Sequence, residues 1–492
     1  MTTAAADPPA RSYRPLAGVL TATVVSVTGT RVSAIALPWF VLATTGSATM
    51  TGLVAFAEMT PYVLVKALTG PVVDRLGPRV VSWTTDAVSA TAAGLVPLLH
   101  TQGLLPFWTL LVLVAVIGAM RGPGDLAKSV MVPEAADRAR VPMERATGLS
   151  GVTERLASTI GPAVGGGLIA LTGPLAGLAV NAVTFALGSL VIALALPRGM
   201  GRPVVPAATA AAPGAPATAA APATPGAATE GEQDGGYWRM FRAGFAFLRS
   251  EPLLLALIVM VGITNLLDAG FATVLVPVWA RESGHGPAAI GLAAGVMGAT
   301  AVVGSLIAAA VASRLPRRTV FFVGFLLCGA PRFLVLALGA PLWAVLAVFA
   351  IGGFGSGFLN PILGAVLFER VPRHLLGRVH ALGDSLSWAG IPLGGLVAGA
   401  SVALLGLIPS LLAAGALYFA TTTLAGLRPE WREMDRLRGR RGTADSAPVA
   451  PVARVAPVVP QATEPRSAPA PAPAPTLAVA PTPAPAPSQV RP

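Results

Sequence analysis

The residues Gly70-Pro71-Val72-Val73-Asp74-Arg75-Leu76-Gly77-Pro78-Arg79 form a short charged stretch between two long apolar runs. The run before it covers residues 51–69, and the run after it covers residues 80–99. A transmembrane helix needs about 20 consecutive apolar residues, so each run is long enough to cross a bilayer. The stretch therefore indicates a turn on one side of a membrane, between two membrane-spanning helices.

The composition supports this interpretation over the whole chain of 492 residues, of which 54% are hydrophobic and 11% are charged. In soluble proteins about 25% of residues are charged. The net charge of +12 would suit nucleic-acid binding, but the arginines are spread over loops and a tail, and no soluble basic domain is present to carry that function. We therefore expect a lipid bilayer, and no nucleic acid, as a partner.

Metal and cofactor chemistry is not indicated. The single cysteine, Cys328, lies in an apolar run and can form no intrachain disulfide, and the four histidines lack ligand spacing. The phosphate-binding pattern G-x-x-x-x-G-K-[ST] is absent from the sequence, which excludes its use for ATP-driven transport. We expect neither a metal nor a cofactor, and no enzyme activity.

Continuous apolar runs predict twelve membrane-spanning helices, six before a long hydrophilic stretch and six after it. Barrel strands are excluded because they are short and alternate polar with apolar residues. The predicted spans are 16–44, 51–69, 80–99, 104–130, 146–171, 174–196, 253–279, 288–312, 319–338, 342–368, 379–404 and 407–427. The fold class is thus an all-α polytopic membrane protein with two pseudo-symmetric six-helix bundles.

The distribution of Lys and Arg predicts the orientation. Loops on the same side as the N-terminus, to which Lys128 is assigned, carry nearly all of these residues, whereas the opposite loops carry Arg281. The positive-inside rule then places both termini in the cytoplasm of a multi-pass protein of the cell membrane. The predicted segments are a tail 1–15, a bundle 16–196, an Ala/Pro-rich disordered linker with an interfacial amphipathic helix 197–252, a bundle 253–428 and a basic, then Ala/Pro-rich disordered tail 429–492.

The two halves resemble each other. After the eighth span, Arg314-Leu315-Pro316-Arg317-Arg318 takes the place that residues 75–79 hold after the second, with Ser313 where Asp74 would stand. Related segments begin at Arg145 before the fifth span and at Arg378 before the eleventh. Two homologous bundles joined by a flexible linker are typical of transporters, in which one bundle rocks against the other.

The chain resembles the major facilitator superfamily (MFS) over about residues 15–428. Its opening stretch matches the loop signature G-x-x-x-D-R-x-G-x-R at Gly70, Asp74, Arg75, Gly77 and Arg79. The fifth span matches much of the drug-antiporter signature, with Ala157 in place of one glycine; the matching residues are Gly148, Gly161, Pro162, Gly165 and Gly166. The segment from Ala36 to Ser47 is similar to the twelve-span branch of drug:proton antiporters that contains macrolide and siderophore exporters.

The resemblance implies roles for both signatures. Asp74 would act as part of a conformational latch that holds the bundles together on the cytoplasmic side while the outside is open, with Arg75 and Arg79 adding charge pairing. Glycines at positions 70 and 77 would permit close packing and a tight turn. The fifth-span residues would seal the outward path. The alternatives are that the two arginines only set the topology and that the fifth-span residues only serve packing.

Charged residues inside the spans are the candidate pathway for protons or substrate, since each costs about 2.5–3.5 kcal/mol at a helix centre on insertion scales. These candidates are Arg31, Glu58, Arg121, Glu154, Arg155 and Asp268. In the family the first, fourth, seventh and tenth spans line the cavity, which would place Arg31, Arg121 and Asp268 there. By depth, Arg31 is expected to reach Glu58, and an ion pair between Lys66 and Asp86 is expected nearer the cytoplasm.

A proton-coupled exporter needs a carboxylate that binds a proton on one side of the membrane and releases it on the other, and a nearby arginine can switch its proton affinity. Glu58 or Asp268 is the first candidate and Glu154 the next; fixed structural ion pairs are the alternative. The aromatic residues that could line a drug pocket are Trp39, Phe40, Phe56, Phe271 and Trp279.

We therefore expect a monomeric secondary transporter that exports amphipathic drugs or natural products by alternating access, with protons as the coupling ion. A proton-coupled uptake symporter for a small metabolite is an alternative, although it would need more polar residues in the pocket. A membrane sensor or scaffold without transport activity is a third, and it would need a folded domain outside the membrane.

Overall fold

Twelve long helical segments make up the computed structural model, which describes residues 11–198, 200, 245–311, 315–371 and 376–432. Within these residues no β-strand occurs, so the predicted all-α class is confirmed. Eight of the segments are unbroken helices: Arg14–Thr45, Ala48–Leu68, Pro78–Thr101, Phe107–Ala139, Met143–Thr172, Pro174–Ala195, Gly286–Val311 and Leu407–Leu427.

The other four segments, all in the second half, are interrupted. The seventh runs from Pro252 to Glu282 and contains a π-helical turn at Phe271–Leu275. The remaining three each consist of two helices: Arg317–Cys328 and Ala330–Ala337, Leu342–Ser356 and Leu359–Arg370, Leu376–Trp388 and Ile391–Leu405. Pro331 and Pro392 each occupy an early position of the helix that resumes, where the missing N–H costs little.

Ten of the described segments are long and apolar enough to cross a membrane. The other two, Pro78–Thr101 and Met143–Thr172, have 24 and 30 residues and are long enough, but they carry more polar side chains. Twelve spans are therefore confirmed. One predicted boundary was wrong, because the fourth helix continues to Ala139 instead of ending near residue 130. The assignment of Lys128 to the loop at this end was also wrong, since Lys128 lies well inside the helix.

The stretch that carries the loop signature forms a short helix, Gly70–Leu76, followed at once by the third span. Gly77 joins the two helices with φ +86°, a conformation that glycine adopts without the steric cost of a Cβ atom. The predicted tight turn is thus made at Gly77. No atom would lie within 4 Å of a Cβ added at Gly70, so close packing at that glycine, which the sequence predicted, is absent from this structure.

The two halves repeat the same neighbour pattern. The second span packs on the fourth and the eighth on the tenth; the first packs on the fifth and the seventh on the eleventh; the third packs on the sixth and the ninth on the twelfth. Contacts between the halves join the second span to the eleventh and the fifth to the eighth, which again is a symmetric pair. The predicted pseudo-symmetric bundles are confirmed by this pattern.

Several predicted segments lie wholly or mostly outside the described residues, namely both tails and the linker. Of the predicted interfacial helix, residues 245–250 are described and helical, and Leu248 is buried in a hydrophobic cluster that consists mostly of second-half residues. The segment boundaries at 15, 196, 252 and 428 stay predictions.

Candidate functional site

A cavity of about 530 Å³ lies in the first half, where Thr273 and Trp388 of the second half complete its wall, and its volume is within the size range of pockets for drug-sized ligands. Its wall comes mostly from the first, second and fourth spans, with Ser150 and Glu154 from the fifth, Thr273 from the seventh and Trp388 from the eleventh. The charged side chains that line it are Arg31, Glu58, Lys66, Arg121, Asp125, Lys128 and Glu154. No cluster of His, Cys, Asp or Glu that could hold a metal ion occurs in the part of the chain that the structure describes.

An ion pair between Glu58 and Arg121 lies in the cavity wall. Nη1 of Arg121 is 3.0 Å from Oε1 of Glu58, and the two side chains are 14% and 19% exposed. The second and fourth spans can approach closely here because the fourth span has glycine at positions 118 and 122; a Cβ added at Gly118 would lie 2.0 Å from the carbonyl oxygen of Glu58. The predicted pairing of Glu58 with Arg31 is therefore wrong, since the fourth span supplies its partner.

The same arginine contacts an aromatic pair that bridges the two halves. The Arg121 guanidinium carbon lies 4.1 Å from the centre of the Tyr62 ring, and this ring stacks on Trp388 of the second half with 6.4 Å between ring centres. Nζ of Lys66 is 3.3 Å from the Tyr62 hydroxyl and 4.6 Å from the centre of the Trp388 ring. Lys66 therefore belongs to this bridge.

A second ion pair lies deeper in the first half. Nζ of Lys128 is 2.9 Å from the carboxylate of Asp86, and the hydroxyl of Ser26 donates to the same carboxylate at 3.4 Å. Both charged side chains are almost fully buried, at 5% and 3% exposure. The predicted pair of Lys66 with Asp86 is wrong. The error follows from the fourth span, because Lys128 had been assigned to a loop.

Three charged residues of the cavity have no such partner. For Arg31, Asp125 and Glu154 the described residues provide neither a hydrogen bond nor an ion pair, although Arg31 interacts electrostatically with both carboxylates. Gly161 packs on the stem of Arg31, and a Cβ there would lie 2.7 Å from the Cβ of Arg31. Sequence reasoning missed Asp125, which lies four residues after Arg121 on the same helical face, a spacing that could have revealed it.

Two members of the predicted pathway are not among the residues that line this cavity. Arg155 is exposed. Asp268 pairs with Arg332 of the ninth span, and the Arg332 guanidinium carbon also lies 4.9 Å from the centre of the Phe271 ring and 5.5 Å from that of Phe333. Asp268 was expected in the cavity wall, and it is not among the residues that line this cavity.

The aromatic lining also differs from expectation. The described cavity wall takes its aromatic side chains from Tyr62 and Trp388. None of the five predicted ones lines it, namely Trp39, Phe40, Phe56, Phe271 and Trp279. Phe271, for example, packs on Phe333 within the second half, with 4.4 Å between ring centres.

Glycine contacts join the two halves near the ends of the second and fifth spans that lie opposite Arg14, where the first span begins, and Leu427, where the twelfth ends. In the fifth span, a Cβ added at Gly166 would lie 2.6 Å from the Cα of Gly291 in the eighth. In the second span, a Cβ added at Gly52 would lie 2.2 Å from the carbonyl oxygen of Gly395 in the eleventh. On the fifth span Gly166 lies beyond the cavity-lining residues Ser150 and Glu154, and on the second span Gly52 directly follows the first cavity-lining residue, Thr51.

The signature residues of the fifth span fall into two groups. Gly161 and Gly165 pack within the first half, on Arg31 and Val32 of the first span. Pro162 and Gly166 face the second half, where a Cβ added at Gly291 would lie 2.5 Å from the carbonyl oxygen of Pro162. Gly148 has no atom within 4 Å of an added Cβ.

The loop-signature arginines differ in their contacts. Arg79 donates to the carbonyl oxygens of Leu196 at 3.0 Å and Ala193 at 2.6 Å, at the end of the sixth span. Its repeat counterpart, Arg318, donates to the carbonyl oxygen of Gly426 at 3.1 Å, at the end of the twelfth. Arg75 and Asp74 are exposed, and within the described residues neither forms a hydrogen bond or ion pair.

Comparison with known proteins places these features in a family. The model of the Major Facilitator Superfamily matches residues 19–275 and 258–472. The multidrug efflux pump Tap of Mycobacterium tuberculosis is 31% identical over 421 residues, which cover 85% of this chain and 94% of that protein. Tap of Mycolicibacterium fortuitum is 28% identical over 428 residues, covering 86% and 97%.

Solved structures show the same fold at low identity. The nucleoside transporter NupG superposes with a TM-score of 0.62 at 12% identity, covering 86% of this chain and 99% of NupG. A bacterial homologue of the human lysosomal transporter Spinster, in an inward-facing and unoccupied conformation, gives a TM-score of 0.55 at 13% identity, covering 87% and 97%. With the family match and the two-bundle architecture, the chain belongs to the Major Facilitator Superfamily and is a multi-pass secondary transporter of small molecules, not an enzyme.

Proposed function

We propose that this transporter exports amphipathic organic compounds, drugs or natural products, in exchange for protons. The observation that carries the proposal is the cavity of about 530 Å³ with the Glu58–Arg121 ion pair in its wall. The apolar part of the wall, from side chains such as Leu37, Val54 and Met59, suits the body of an amphipathic compound. Relatives named as multidrug efflux pumps, one of them 31% identical over most of both chains, support export rather than uptake.

The orientation follows from the arginines and lysines. Both termini lie in the cytoplasm of a protein of the cell membrane, so the loop Gly70–Arg79 faces the cytoplasm. The glycine contacts at Gly166 and Gly52 then close the outer side, and the cavity lies towards the cytoplasm. In this state an exporter takes up its substrate. The protein works as a monomer, since one chain supplies both bundles and the wall of the cavity.

Glu58 carries the proton. When its carboxylate is protonated, the ion pair with Arg121 loses its anion, and the guanidinium is free to leave the position that the pair gives it. Because Arg121 also lies over Tyr62, and Tyr62 stacks on Trp388 of the other half, a change at Glu58 reaches the contact between the bundles. Glu154 is the second candidate for the proton and Asp268 the third.

The loop signature acts in the other state of the cycle. Asp74 and Arg75 are exposed in this structure, where the outer side is closed. We expect them to contact the second bundle when the cytoplasmic side closes, which makes the stretch from Gly70 to Arg79 a latch for the outward-open state. Gly161, Pro162, Gly165 and Gly166 act on the opposite side as part of the outer seal.

The test is an efflux assay in a bacterial strain that lacks its own drug pumps. Cells that express the chain are loaded with amphipathic dyes and antibiotics, and the retained amount is compared with that in cells carrying an empty vector. We expect cells with the wild type to retain less of at least one compound than the vector cells do. Cells with Glu58→Gln, which lacks proton coupling, should retain more of it than the wild type, whereas Glu282→Gln, a control at an exposed carboxylate outside the cavity, should match the wild type. Unchanged retention of every compound despite membrane expression would contradict the proposal, and higher retention would indicate uptake.

A further inference from the structure

Among the three charged residues of the cavity that have no direct partner in the described part of the chain, Arg31 and Glu154 carry charges of opposite sign. Within the described residues, Arg31 of the first span and Glu154 of the fifth have no hydrogen-bond or ion-pair partner. Both side chains are exposed to the cavity that they line. The other arginine of the wall, Arg121, is already paired with Glu58, and Lys128 is paired with Asp86. Arg31 and Glu154 are therefore available to a ligand.

The position of Arg31 is set by packing. Gly161 lies against the Cβ and Cγ atoms of Arg31, so that the stem of the side chain is held between the first and fifth spans. Glu154 lies two helical turns before Gly161 on that same fifth span, and the two charged groups interact electrostatically. They are separated by more than the 4.0 Å of an ion pair. A ligand that brings one group to each of them can satisfy both.

The charge balance of the wall selects what can bind. The wall itself carries four cationic groups, Arg31, Lys66, Arg121 and Lys128, and the three carboxylates of Glu58, Asp125 and Glu154. Asp86 does not line the cavity, but it neutralises Lys128, so with this carboxylate included the ionised site is neutral overall. In a membrane-embedded site of low dielectric, an added net charge is costly to bury, whereas a molecule with one charge of each sign adds none. The two charged groups of a zwitterion also provide an oppositely charged partner for each of the unpaired side chains, Arg31 and Glu154.

We propose that the substrate is amphoteric: a compound with an acidic and a basic group on one apolar body, whose acidic group binds Arg31 and whose basic group binds Glu154. Asp125, the other unpartnered carboxylate, supports the basic group. This inference rests on the proposed export function and names its substrate class. Arg31 thus determines specificity, and it makes the protein distinguish a carboxylate from the corresponding ester.

The test uses three dyes that share one ring framework and differ in charge at neutral pH. Rhodamine B is a zwitterion, its ethyl ester is a cation, and fluorescein is an anion. The full-length protein is reconstituted into lipid vesicles, a pH gradient is imposed, and protein-dependent transport of each dye is measured against protein-free vesicles. The variants are Arg31→Gln, Arg31→Lys and Glu154→Gln, with Arg249→Gln and Glu282→Gln as controls at exposed sites outside the cavity.

We expect the wild type and both controls to transport rhodamine B faster than its ester or fluorescein. Loss of one charged hydrogen bond should lower rhodamine B transport at least about tenfold in Arg31→Gln while leaving the ester unchanged. Arg31→Lys should retain part of the preference for rhodamine B over its ester. It takes the place of Arg31→Gln in the comparison if Arg31→Gln does not reach the membrane. Glu154→Gln should slow the two dyes that carry the cationic xanthylium ring, rhodamine B and its ester, and spare fluorescein.

Transport of the ester as fast as that of rhodamine B by the wild type, or an equal loss of both dyes in Arg31→Gln, would overturn the amphoteric site and leave the export function standing. Transport of none of the three dyes by the wild type, in vesicles that hold folded protein, would overturn the export function and the substrate class together.

Discussion

Arg121 of the fourth span lies 3.0 Å from the carboxylate of Glu58 in the second span, so the two spans that form one wall of the cavity are joined by opposite charges. This arginine also faces Tyr62, whose ring stacks on Trp388 of the other bundle. Protonation of Glu58 would remove the anion of this ion pair. The Tyr62 ring thus connects the pair to the contact between the bundles, which must open and close during transport.

The Tyr62 ring should matter more than its hydroxyl. We expect Tyr62→Leu, which removes the face against Arg121 and Trp388, to slow transport about tenfold, the scale of a desolvated cation–π contact. Tyr62→Phe keeps both ring contacts and loses only the hydroxyl that Lys66 binds, so it should stay near the wild type. Efflux rates of the two variants at equal membrane expression provide the measurement. Equal efflux rates for the two variants would mean that the contacts of the Tyr62 ring do not couple Arg121 to the second bundle.

The outer seal can be tested at two adjacent glycines. A Cβ at Gly166 would meet the backbone of Gly291 at 2.6 Å, whereas at Gly167 nothing lies within 4 Å. We expect Gly166→Val to hold the outer side open and Gly167→Val to leave it closed. The measurement is the labelling rate of Thr51→Cys, a cavity residue near the seal, by a membrane-impermeant thiol reagent in a Cys328→Ser background. Faster labelling in both variants, or in neither, would show that the Gly166 contact is not the seal.

Arg79 and Arg75 should differ in their effect on stability. Arg79 donates two hydrogen bonds to carbonyl oxygens at the end of the sixth span, where a cation also favours the helix dipole. Its replacement by Gln should destabilise the folded protein by about 1 kcal/mol or more. Arg75→Gln removes an exposed side chain and should leave the melting temperature of the purified protein unchanged. A drop of the same size in both variants would assign a folding role to the whole signature.

Asp268 should contribute to stability through Arg332. Removing one partner of a fully buried pair costs about 3–5 kcal/mol, and we expect a smaller loss for Asp268→Asn because that carboxylate is 39% exposed. The double variant Asp268→Asn with Arg332→Gln should recover part of the lost thermal stability, since it leaves no unpaired cation. Thermal unfolding of the two single variants and the double variant gives the coupling energy. Strictly additive losses would show that the pair contributes no mutual stabilisation.

The sequence was sufficient to predict the architecture, because the length of the apolar runs shows which segments cross the membrane and the internal repeat shows that there are two bundles. Continuous apolar runs located all twelve spans, and the repeat of Arg79 at Arg318 was visible before both proved to contact the end of the last span in their halves. It could not give the direction in which a side chain points around a helix. Glu58 was therefore assigned to Arg31, at the right depth but on the wrong neighbour, although all of Arg31, Glu58, Arg121 and Glu154 line the cavity.

The second pairing error has a different cause. The polar residues of the fourth span after Lys128 were taken for a loop, so the buried lysine was not considered as a partner for Asp86. A helix can carry such residues past the apolar core of a membrane when they face their own bundle, and hydropathy does not report that. Trp388 was not predicted for another reason: only the packing of the two halves, which are distant in sequence, brings it beside Tyr62.

The central claim is that proton movement depends on Glu58, and substrate-driven proton flux measures it most directly. Purified protein in vesicles that enclose a pH-sensitive dye is exposed to the compound that the efflux assay identifies, without an imposed gradient. We expect the wild type to move protons against the direction of the substrate, and Glu58→Gln to move substrate down its gradient without protons. An unchanged ratio of protons to substrate in Glu58→Gln would contradict the account.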